Sequence, residues 1–120
     1  QLFNNLVSNA IKFRRTGVPP VIRIACGDVH HEDYPQLPLV SGTKYIKVTV
    51  EDNGIGFEQE YAERIFMIFQ RLNGKAEYAG SGIGLSICKK IVENHHGFIF
   101  AKGTVGHGAA FTILLPQKQS

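Results

Sequence analysis

The chain has 120 residues, is 43% hydrophobic and 19% charged, and carries a formal net charge of +3 at pH 7. This length predicts one domain, and the balance of apolar and charged residues excludes a disordered tail and a membrane-spanning protein. Lysine and arginine are scattered without a basic stripe, so the charge suits a small polyanion as well as a nucleic acid. The chain lacks a secretory signal and opens at Gln1 inside a predicted helix, from which we expect an excised fragment.

Hydrophobic periodicity and turn residues predict an α/β fold. The connections between strands favour a two-layer sandwich, in which three amphipathic helices cover one face of a mixed sheet. In chain order we predict a helix at 1–14, a strand at 21–26, a polar loop at 27–43, a strand at 45–51, a helix at 58–69, a mobile segment at 70–82, a central helix at 84–95, and strands at 98–102 and 109–115.

Two local patterns refine this prediction. The strand at 45–51 alternates, with Ile46, Val48 and Val50 on one face and Tyr45 on the opposite face. Gly97 follows the last apolar turn of the central helix and is predicted to end it. The alternation therefore predicts a half-buried strand.

The polar face of the first helix is the first candidate site. Asn5, Asn9 and Lys12 are spaced by four and three residues, which places them on one helical face. A carboxamide oxygen is a competent Mg²⁺ ligand, and an ammonium group neutralises phosphate oxygens. A solvated polar face is the plainer interpretation of this helix taken alone.

The second candidate is the Asp52–Gly56 turn, DNGIG, where a predicted strand ends. Glycines at a strand end let the backbone approach a ligand closely, and Asp52 can accept a hydrogen bond from an exocyclic amine. An ordinary turn between a strand and a helix explains the same residues, so this motif is only moderately specific.

The third candidate is the Gly80–Leu85 segment, GSGIGL, which leads into a predicted helix. Free backbone N–H groups and the positive end of a helix dipole suit a phosphate group. The segment follows a loop rather than a buried strand, and it lacks the Gly-Lys-Ser/Thr sequence, so neither a Rossmann nor a Walker phosphate site is indicated.

The histidines and cysteines give weaker signals. Five histidines occur without ligand spacing to a cysteine or carboxylate cluster, and no nucleophile–histidine triad is indicated. Cys26 and Cys88 each lie in an apolar stretch and lack metal-ligand spacing. We therefore expect two reduced thiols in the core.

Five sequence boxes, taken in order, resemble the ATP-binding catalytic domain of sensor histidine kinases, in the wider family that includes gyrase, the Hsp90 chaperones and MutL. QLFNNLVSNAIKFR is similar to the N box, EDNGIGF to the first glycine box, IFMIFQRL to the Phe-x-x-Phe box, GSGIGLSICKKIVENHHG to the second glycine box, and GHGAAFTILLP to the terminal one. One box is weakly specific, whereas five in order are highly specific. The short lid resembles that of phytochrome-like, soluble-sensor kinases. The resemblance runs from Gln1 to Pro116 and implies a Bergerat-type ATP-binding fold.

The resemblance implies a role for each matching residue. Asn9 would hold Mg²⁺, Asn5 and Lys12 would reach the phosphates of ATP, and Asp52 would bind the adenine amine. Asn5, Lys12 and Arg71 are then the expected catalytic residues. The other implied contacts are Phe13 beside the nucleotide, Gly54, Ile55 and Gly56 at the base, Phe66 and Phe69 anchoring a lid over about 72–82, Arg71 at the terminal phosphate, and Gly80, Ser81, Gly82, Gly84 and Leu85 around the phosphates.

Asn5 separates two branches of the resembled family. Members that hydrolyse ATP carry a glutamate at this position, one helical turn before the Mg²⁺ asparagine, whereas an asparagine is not a base. The resemblance therefore implies a kinase whose nucleophile is a histidine on a separate helical hairpin. That hairpin lies outside these 120 residues, so we expect the fragment to be inactive alone.

Three positions depart from the family pattern. His96 stands where the family has the first of two glycines, Ala109 replaces a serine or threonine, and the 27–43 loop is long. None of them is a position implied to bind Mg²⁺ or adenine.

The resemblance also implies the setting of the chain. Residues 1–116 would form the catalytic domain and 117–120 a tail. The expected partners are the dimerisation and phosphoacceptor helices of a homodimeric parent and a response-regulator receiver domain, without nucleic acid, and the expected location is the cytoplasm, whether or not the parent is membrane-anchored. A gyrase- or Hsp90-type ATPase, a nucleotide-binding module without catalysis, and an α/β domain with incidental glycines stay open as alternatives.

Overall fold

The two described helices and the four described strands follow the predicted order with shifted bounds, and the helix predicted at 58–69 is not among them. A computed structural model describes residues 2–62, 64–66 and 81–117. No helix among these residues is long and apolar enough to cross a membrane. The elements are α1 (Leu2–Lys12), β1 (Ile22–Asp28), β2 (Tyr45–Asp52), α2 (Ser81–Asn94), β3 (Phe98–Thr104) and β4 (Gly108–Pro116), with 3-10 turns at His31–Asp33, Gln59–Tyr61 and Arg64–Phe66.

One sheet holds the four described strands in the order β1-β2-β4-β3. The predicted α/β two-layer architecture is confirmed, and the sheet differs from the prediction in one respect. Each neighbouring pair of described strands is antiparallel, so the parallel pairing of a mixed sheet is not seen among them. The reason is the position of β4: β2 and β3 run in the same direction, but β4 lies between them and pairs with both.

The inner face of the sheet carries the core. Val50 of β2 lies opposite Phe111 of β4, and both are buried beneath α1 and α2. Because side chains alternate along a strand, Asp52 projects from the same face as Val50, at the end of β2. The buried cluster consists of Leu6, Val48, Val50, Phe57, Ile65, Phe66, Leu85, Cys88, Val92, Ala101, Phe111 and Ile113.

The helix predicted at 58–69 differs in the structure. Gln59–Tyr61 and Arg64–Phe66 are separate 3-10 turns, while residues 63 and 67–69 lie outside the described part of the chain. The Gln59 side chain explains the difference in part, because its Nε2 donates to the Ala101 carbonyl oxygen at 3.2 Å and its Oε1 accepts from the Gly103 N–H at 2.9 Å. These bonds hold the first turn against β3, which favours a short turn over a regular helix.

The outer face of the sheet is covered at one end by the long 29–44 loop. Tyr45 is only 2% exposed there, because the ring of His31 packs edge-on against it at 5.6 Å and the ring of Phe98 lies 6.2 Å away. Ile46 is 37% exposed. The predicted half-buried strand is confirmed, but at this end of β2 the buried residue is Tyr45 rather than Ile46, because the His31 ring from the loop and the Phe98 ring from β3 cover the outer face.

Helix α2 ends in a Schellman motif centred on His96. The His96 N–H donates to the Glu93 carbonyl oxygen at 2.9 Å, and the Gly97 N–H donates to that of Val92 at 2.9 Å. His96 itself takes the left-handed conformation, with φ of 63°. Gly97 serves packing instead, since a Cβ there would lie 2.5 Å from the Leu114 carbonyl oxygen. The residue that ends the helix is thus His96, not the predicted Gly97.

We expect His96→Gly to raise the free energy of unfolding by about 0.5–1 kcal/mol, because the left-handed conformation costs a residue with a Cβ about 1–2 kcal/mol and glycine's flexibility in the unfolded chain offsets part of that gain. Urea unfolding followed by circular dichroism measures the change. His95→Gly is the matched control and should destabilise, since His95 does not have a positive φ. A destabilised His96→Gly variant would contradict the assignment of strain to this residue.

The two cysteines lie in different surroundings. Cys88 is fully buried, and burial raises the pKa of its thiol to about 11. Cys26 is exposed, so its predicted place in the core was wrong. The cause is that β1 is an edge strand beyond the cover of the helices, in which every residue after Ile22 is exposed. Both thiols are free.

Candidate functional site

A cleft opens on the inner face of the sheet between α1, α2 and the end of β2. It encloses about 430 Å³ including its open mouth, which is the size of many small-molecule sites. The described part of its lining is mostly apolar and includes one ionisable side chain, that of Asp52. The described lining residues are Asn9, Phe13, Asp52, Ile55, Gly56, Phe57, Ile65, Leu85, Ala109 and Phe111.

Asp52 is placed in this cleft as the last residue of β2. Its Oδ1 accepts a hydrogen bond from the Gly54 N–H at 2.8 Å, which fixes the carboxylate against the turn. Burial raises the pKa of this carboxyl, while hydrogen bonds with the backbone of Gly54 and Ala109 act in the opposite direction. A carboxylate has about four lone-pair sites, so Asp52 keeps acceptor capacity for a ligand.

Gly54 and Gly56, the two glycines of the turn, pack closely against backbone atoms of other segments of the protein. A Cβ on Gly54 would lie 2.5 Å from the Phe13 carbonyl oxygen and 3.0 Å from Asp52 Oδ1. Gly56 has φ of 71°, and a Cβ there would overlap the carbonyl oxygen of Thr104. Close packing of the backbone therefore accounts for both glycines, although Gly56 also lines the cleft.

Backbone hydrogen bonds join three separate segments around Ile55. The Ile55 N–H donates to the Phe13 carbonyl oxygen at 2.9 Å, just beyond the end of α1. The Ile55 carbonyl oxygen accepts from the Gly106 N–H at 2.7 Å, in the connection between β3 and β4. The side chains of Phe13 and Ile55 both line the cleft, so these bonds fix two of its walls relative to each other.

The polar residues of α1 are divided between the cleft and its surroundings. Asn9 lines the cleft, whereas Asn5 and Lys12 do not. The Nδ2 atom of Asn5 is buried without a hydrogen-bond partner among the described residues. Lys12 is exposed, with its Nζ 5.8 Å from the centre of the Phe13 ring, beside the cleft.

Helix α2 begins at Ser81, within the third candidate segment. The structure places Ser81, Gly82 and Gly84 in the first turn of the helix, three residues earlier than the predicted start, and Leu85 lines the cleft. The predicted lid anchor Phe66 is buried, with its ring edge-on to Phe111 at 6.1 Å. The other lid residues lie outside the described part of the chain: Phe69, Arg71, Gly80 and the rest of 72–80.

Four cleft residues were not assigned to the site from the sequence. They are Phe57, Ile65, Ala109 and Phe111. Phe111 was in phase for a strand, but its strand could not be placed beside β2 without the pairing order. In that register Ala109 lies opposite Asp52, which is the signal that would have found it.

None of the described residues lining the cleft is a histidine, and the described residues hold no group of three or more His, Cys, Asp or Glu that could bind a metal ion. A hard-metal site here would depend on the Asn9 carboxamide oxygen and on oxygens of a ligand.

The described lining of the cleft thus combines apolar walls with one carboxylate acceptor, that of Asp52. A flat heterocycle fits between aliphatic and aromatic walls, and a ring that carries an amino group can donate to Asp52. The Asn9 carboxamide lies in the same cleft. One helical turn earlier, the Asn5 amide has no partner among the described residues and suits an acceptor oxygen. The donor set fits a nucleotide and an Mg²⁺ ion held mainly by phosphate and water oxygens.

Comparison with known families agrees with this chemistry. Residues 1–119 match the family described as "Histidine kinase-, DNA gyrase B-, and HSP90-like ATPase". The match covers nearly the whole chain, including α1, the turn after β2 and α2.

Individual relatives also match nearly the whole chain. The chain is 43% identical over 116 residues to cyanobacterial phytochrome A of a Nostoc species and 40% identical over 116 residues to the phytochrome-like protein Cph1 of a Synechocystis species. Each alignment covers 97% of this chain but only 13% and 14% of the relative. Among solved structures, the catalytic domain of histidine kinase ThkA is 32% identical with a TM-score of 0.66, over 97% of this chain and 65% of that one.

Proposed function

Because this chain belongs to the family of histidine kinase-, DNA gyrase B- and HSP90-like ATPases, we propose that it binds ATP with Mg²⁺ as the catalytic domain of a sensor histidine kinase and donates the γ-phosphoryl group to a histidine on a separate dimerisation domain. The observation that carries the proposal is the half-buried Asp52 carboxylate, which lines a mostly apolar cleft together with Asn9. Membership in a family of kinases and ATPases supports a site for the purine base of ATP.

Asp52 would recognise the base. Its carboxylate accepts a hydrogen bond from the exocyclic amine of adenine, and the side chains of Phe13, Ile55 and Leu85 form apolar walls for the ring. A base with a carbonyl in place of the amine would set an acceptor against the carboxylate. The cleft therefore favours adenine over hypoxanthine or guanine.

The polar face of α1 would bind the phosphates. Asn9 would hold Mg²⁺, which when bound supplies neutralisation of phosphate charge, and the Asn5 amide would donate to a phosphate oxygen. Lys12 at the rim adds a positive charge. The first turn of α2, which contains Ser81, Gly82 and Gly84, would offer backbone N–H groups to the phosphates, because the N–H groups of a first helical turn lack partners within the helix. Roles for Phe69, Arg71 and Gly80 stay predictions.

Transfer to an external nucleophile fits the cleft better than hydrolysis. Asp52 is the one ionisable group among the described lining residues, and it is committed to the base, so these residues contain no group to activate water. A nitrogen of the acceptor histidine would form a bond to the γ-phosphorus as the bond to the bridging oxygen breaks, and ADP would leave. The chain's own part is to bind and orient the nucleotide.

The alternatives are separated by measurement. Steady phosphate release by the isolated chain would favour a gyrase- or Hsp90-type ATPase. Nucleotide binding without phosphorylation of an added dimerisation domain would favour a binding module.

The setting of the whole protein is also a proposal, since the chain spans 13–14% of the first curated relatives. We infer a cytoplasmic domain of a homodimeric kinase that works with a response-regulator receiver domain and without nucleic acid. The names of relatives such as the adaptive-response sensory kinase SasA and the sensor protein EvgS support a signalling role.

Calorimetric titration of the chain with ATP, in Mg²⁺ and in EDTA, tests this proposal. We expect Mg²⁺ to tighten ATP binding, and Asn9→Ala to reduce that gain about tenfold, equivalent to about 1.4 kcal/mol, because the metal loses its protein ligand. Asn4→Ala is the matched control, since Asn4 is exposed on the same helix.

Two results would contradict the proposal at different points. Failure of the folded wild-type chain to bind any adenine nucleotide would overturn the function as a whole. An equal response of wild type and Asn9→Ala to Mg²⁺ would remove only the metal role of Asn9.

A further inference from the structure

Asn53 follows Asp52 directly, yet its side chain is engaged in bonds to another segment of the chain. Its Oδ1 accepts a hydrogen bond from the Val21 N–H at 2.8 Å, and its Nδ2 donates to the Pro19 carbonyl oxygen at 3.0 Å. Both ends of the carboxamide are thus committed to the connection between α1 and β1. Asn53 is not among the residues that line the cleft.

The backbone of Asn53 binds the same connection. Its N–H donates to the Val21 carbonyl oxygen at 3.3 Å, and its carbonyl oxygen accepts from Arg15 Nε at 2.9 Å. Asn53 therefore makes four hydrogen bonds to the segment from Arg15 to Val21. The guanidinium bond is partly buried and charge-assisted, so it is the strongest type among them.

These bonds hold the two residues on either side of Asn53. Asp52 precedes it and carries the carboxylate, and Gly54 follows it and donates to that carboxylate at 2.8 Å. The next residue, Ile55, is bonded to the Phe13 carbonyl oxygen. The peptide that carries the acceptor is consequently fixed at both ends, with the α1–β1 connection as its anchor.

We propose that Asn53, together with Arg15, is a positioning residue for adenine recognition, which orients the Asp52 carboxylate without touching the nucleotide. The position requires an acceptor and a donor on one short side chain. Among short side chains aspartate lacks the donor, serine is too short to reach both partners, and alanine has neither group. The proposal rests on the adenine role given to Asp52 under the proposed function.

The test measures discrimination between two bases rather than affinity alone. ADP carries the amine that Asp52 would bind, and inosine diphosphate carries a carbonyl there. We expect wild type to prefer ADP, and Asn53→Ala to lower the ratio of the two dissociation constants about tenfold while the affinity for inosine diphosphate changes little. A tenfold change corresponds to about 1.4 kcal/mol, which is the scale of one misdirected hydrogen bond.

Two further variants complete the design. Asn53→Asp keeps the acceptor for Val21 and loses the donor to Pro19, and Arg15→Met removes only the bond to the Asn53 carbonyl oxygen, so both should lower the ratio less than Asn53→Ala. If Asn53→Ala fails to fold, these two variants decide the question. Asn94→Ala is the control, because Asn94 is exposed at the far end of α2.

The outcomes distinguish the inference from the proposed function. A wild-type chain that binds both nucleotides equally overturns the role of Asp52 and the inference with it. A wild-type chain that prefers ADP, with the same preference in all folded variants, leaves the proposed function intact and overturns the inference. Loss of stability with an unchanged ratio would show that Asn53 has a structural role only.

Discussion

Asp52→Asn is expected to weaken ADP binding about 100-fold and to leave the fold intact. A hydrogen bond to a charged acceptor contributes about 1.5–3 kcal/mol, and the new amide would turn a donor toward the donating amine of adenine. Calorimetric titration measures the loss. The affinity for inosine diphosphate should instead rise, because the amide can donate to the carbonyl that replaces the amine in that nucleotide.

The stability and pH dependence of this variant follow from burial. Burial raises the pKa of the Asp52 carboxyl in the folded chain, so ionisation of this group disfavours folding at pH values above that pKa. Asparagine removes this cost and can still accept the Gly54 N–H, so the free energy of unfolding at neutral pH should stay equal or rise slightly. ADP affinity of the wild type should fall as the pH is lowered through the raised pKa of Asp52, and the variant should lose this dependence.

Asp28→Asn is the matched control for the charge change, since Asp28 is exposed at the end of β1. It should bind ADP as the wild type does. Tight binding of ADP by Asp52→Asn, in a chain with an unchanged circular dichroism spectrum, would contradict the role of Asp52.

Gly56→Ala should destabilise the fold by about 3 kcal/mol or more. Gly56 has a positive φ, which costs a residue with a Cβ about 1–2 kcal/mol, and its Cβ would overlap the carbonyl oxygen of Thr104 and crowd that of Gly108. Backbone cannot rotate away as a side chain can, so the turn and the β3–β4 connection must separate. Urea unfolding measures the loss, and ADP binding should weaken with it.

Gly106→Ala separates conformational strain from crowding. Gly106 has φ of 78°, but a Cβ there would meet nothing within 4 Å. This control should lose only about 1–2 kcal/mol. Equal losses in the two variants would show that contact with Thr104 and Gly108 does not matter.

Much of the fold could be predicted because local pattern and tertiary packing agree. The apolar residues of α1 and α2 recur at the helical period, and those of β2, such as Val48 and Val50, recur at every second position. Both patterns arise because these residues are buried in one core. The prediction failed where distant segments decide the outcome. Tyr45 is buried by the His31 ring from a loop of mostly polar sequence and by the Phe98 ring from β3. The turn at Gln59–Tyr61 is held by the Gln59 bonds to β3.

The candidate site could be predicted in part because its residues occur in ordered boxes. Asn9, Phe13, Asp52, Ile55, Gly56 and Leu85 all meet at one cleft. Phe57, Ile65 and Phe111 could not be assigned, because an apolar residue that lines a site has the same pattern as one that fills a core. The role of Asn53 could not be predicted from the sequence, because the partners of its side chain lie more than 30 residues away in the chain.

The hydrogen bonds on both sides of Ile55 have a thermodynamic consequence for a molecule that enters the cleft. They are made within the protein, so this wall is ordered in advance and loses little conformational entropy when a base packs on it. Adenosine alone should then retain a substantial share of the binding free energy, with a favourable enthalpy. The base would then supply much of the binding free energy, and the sugar and phosphates would be oriented by its position in the cleft.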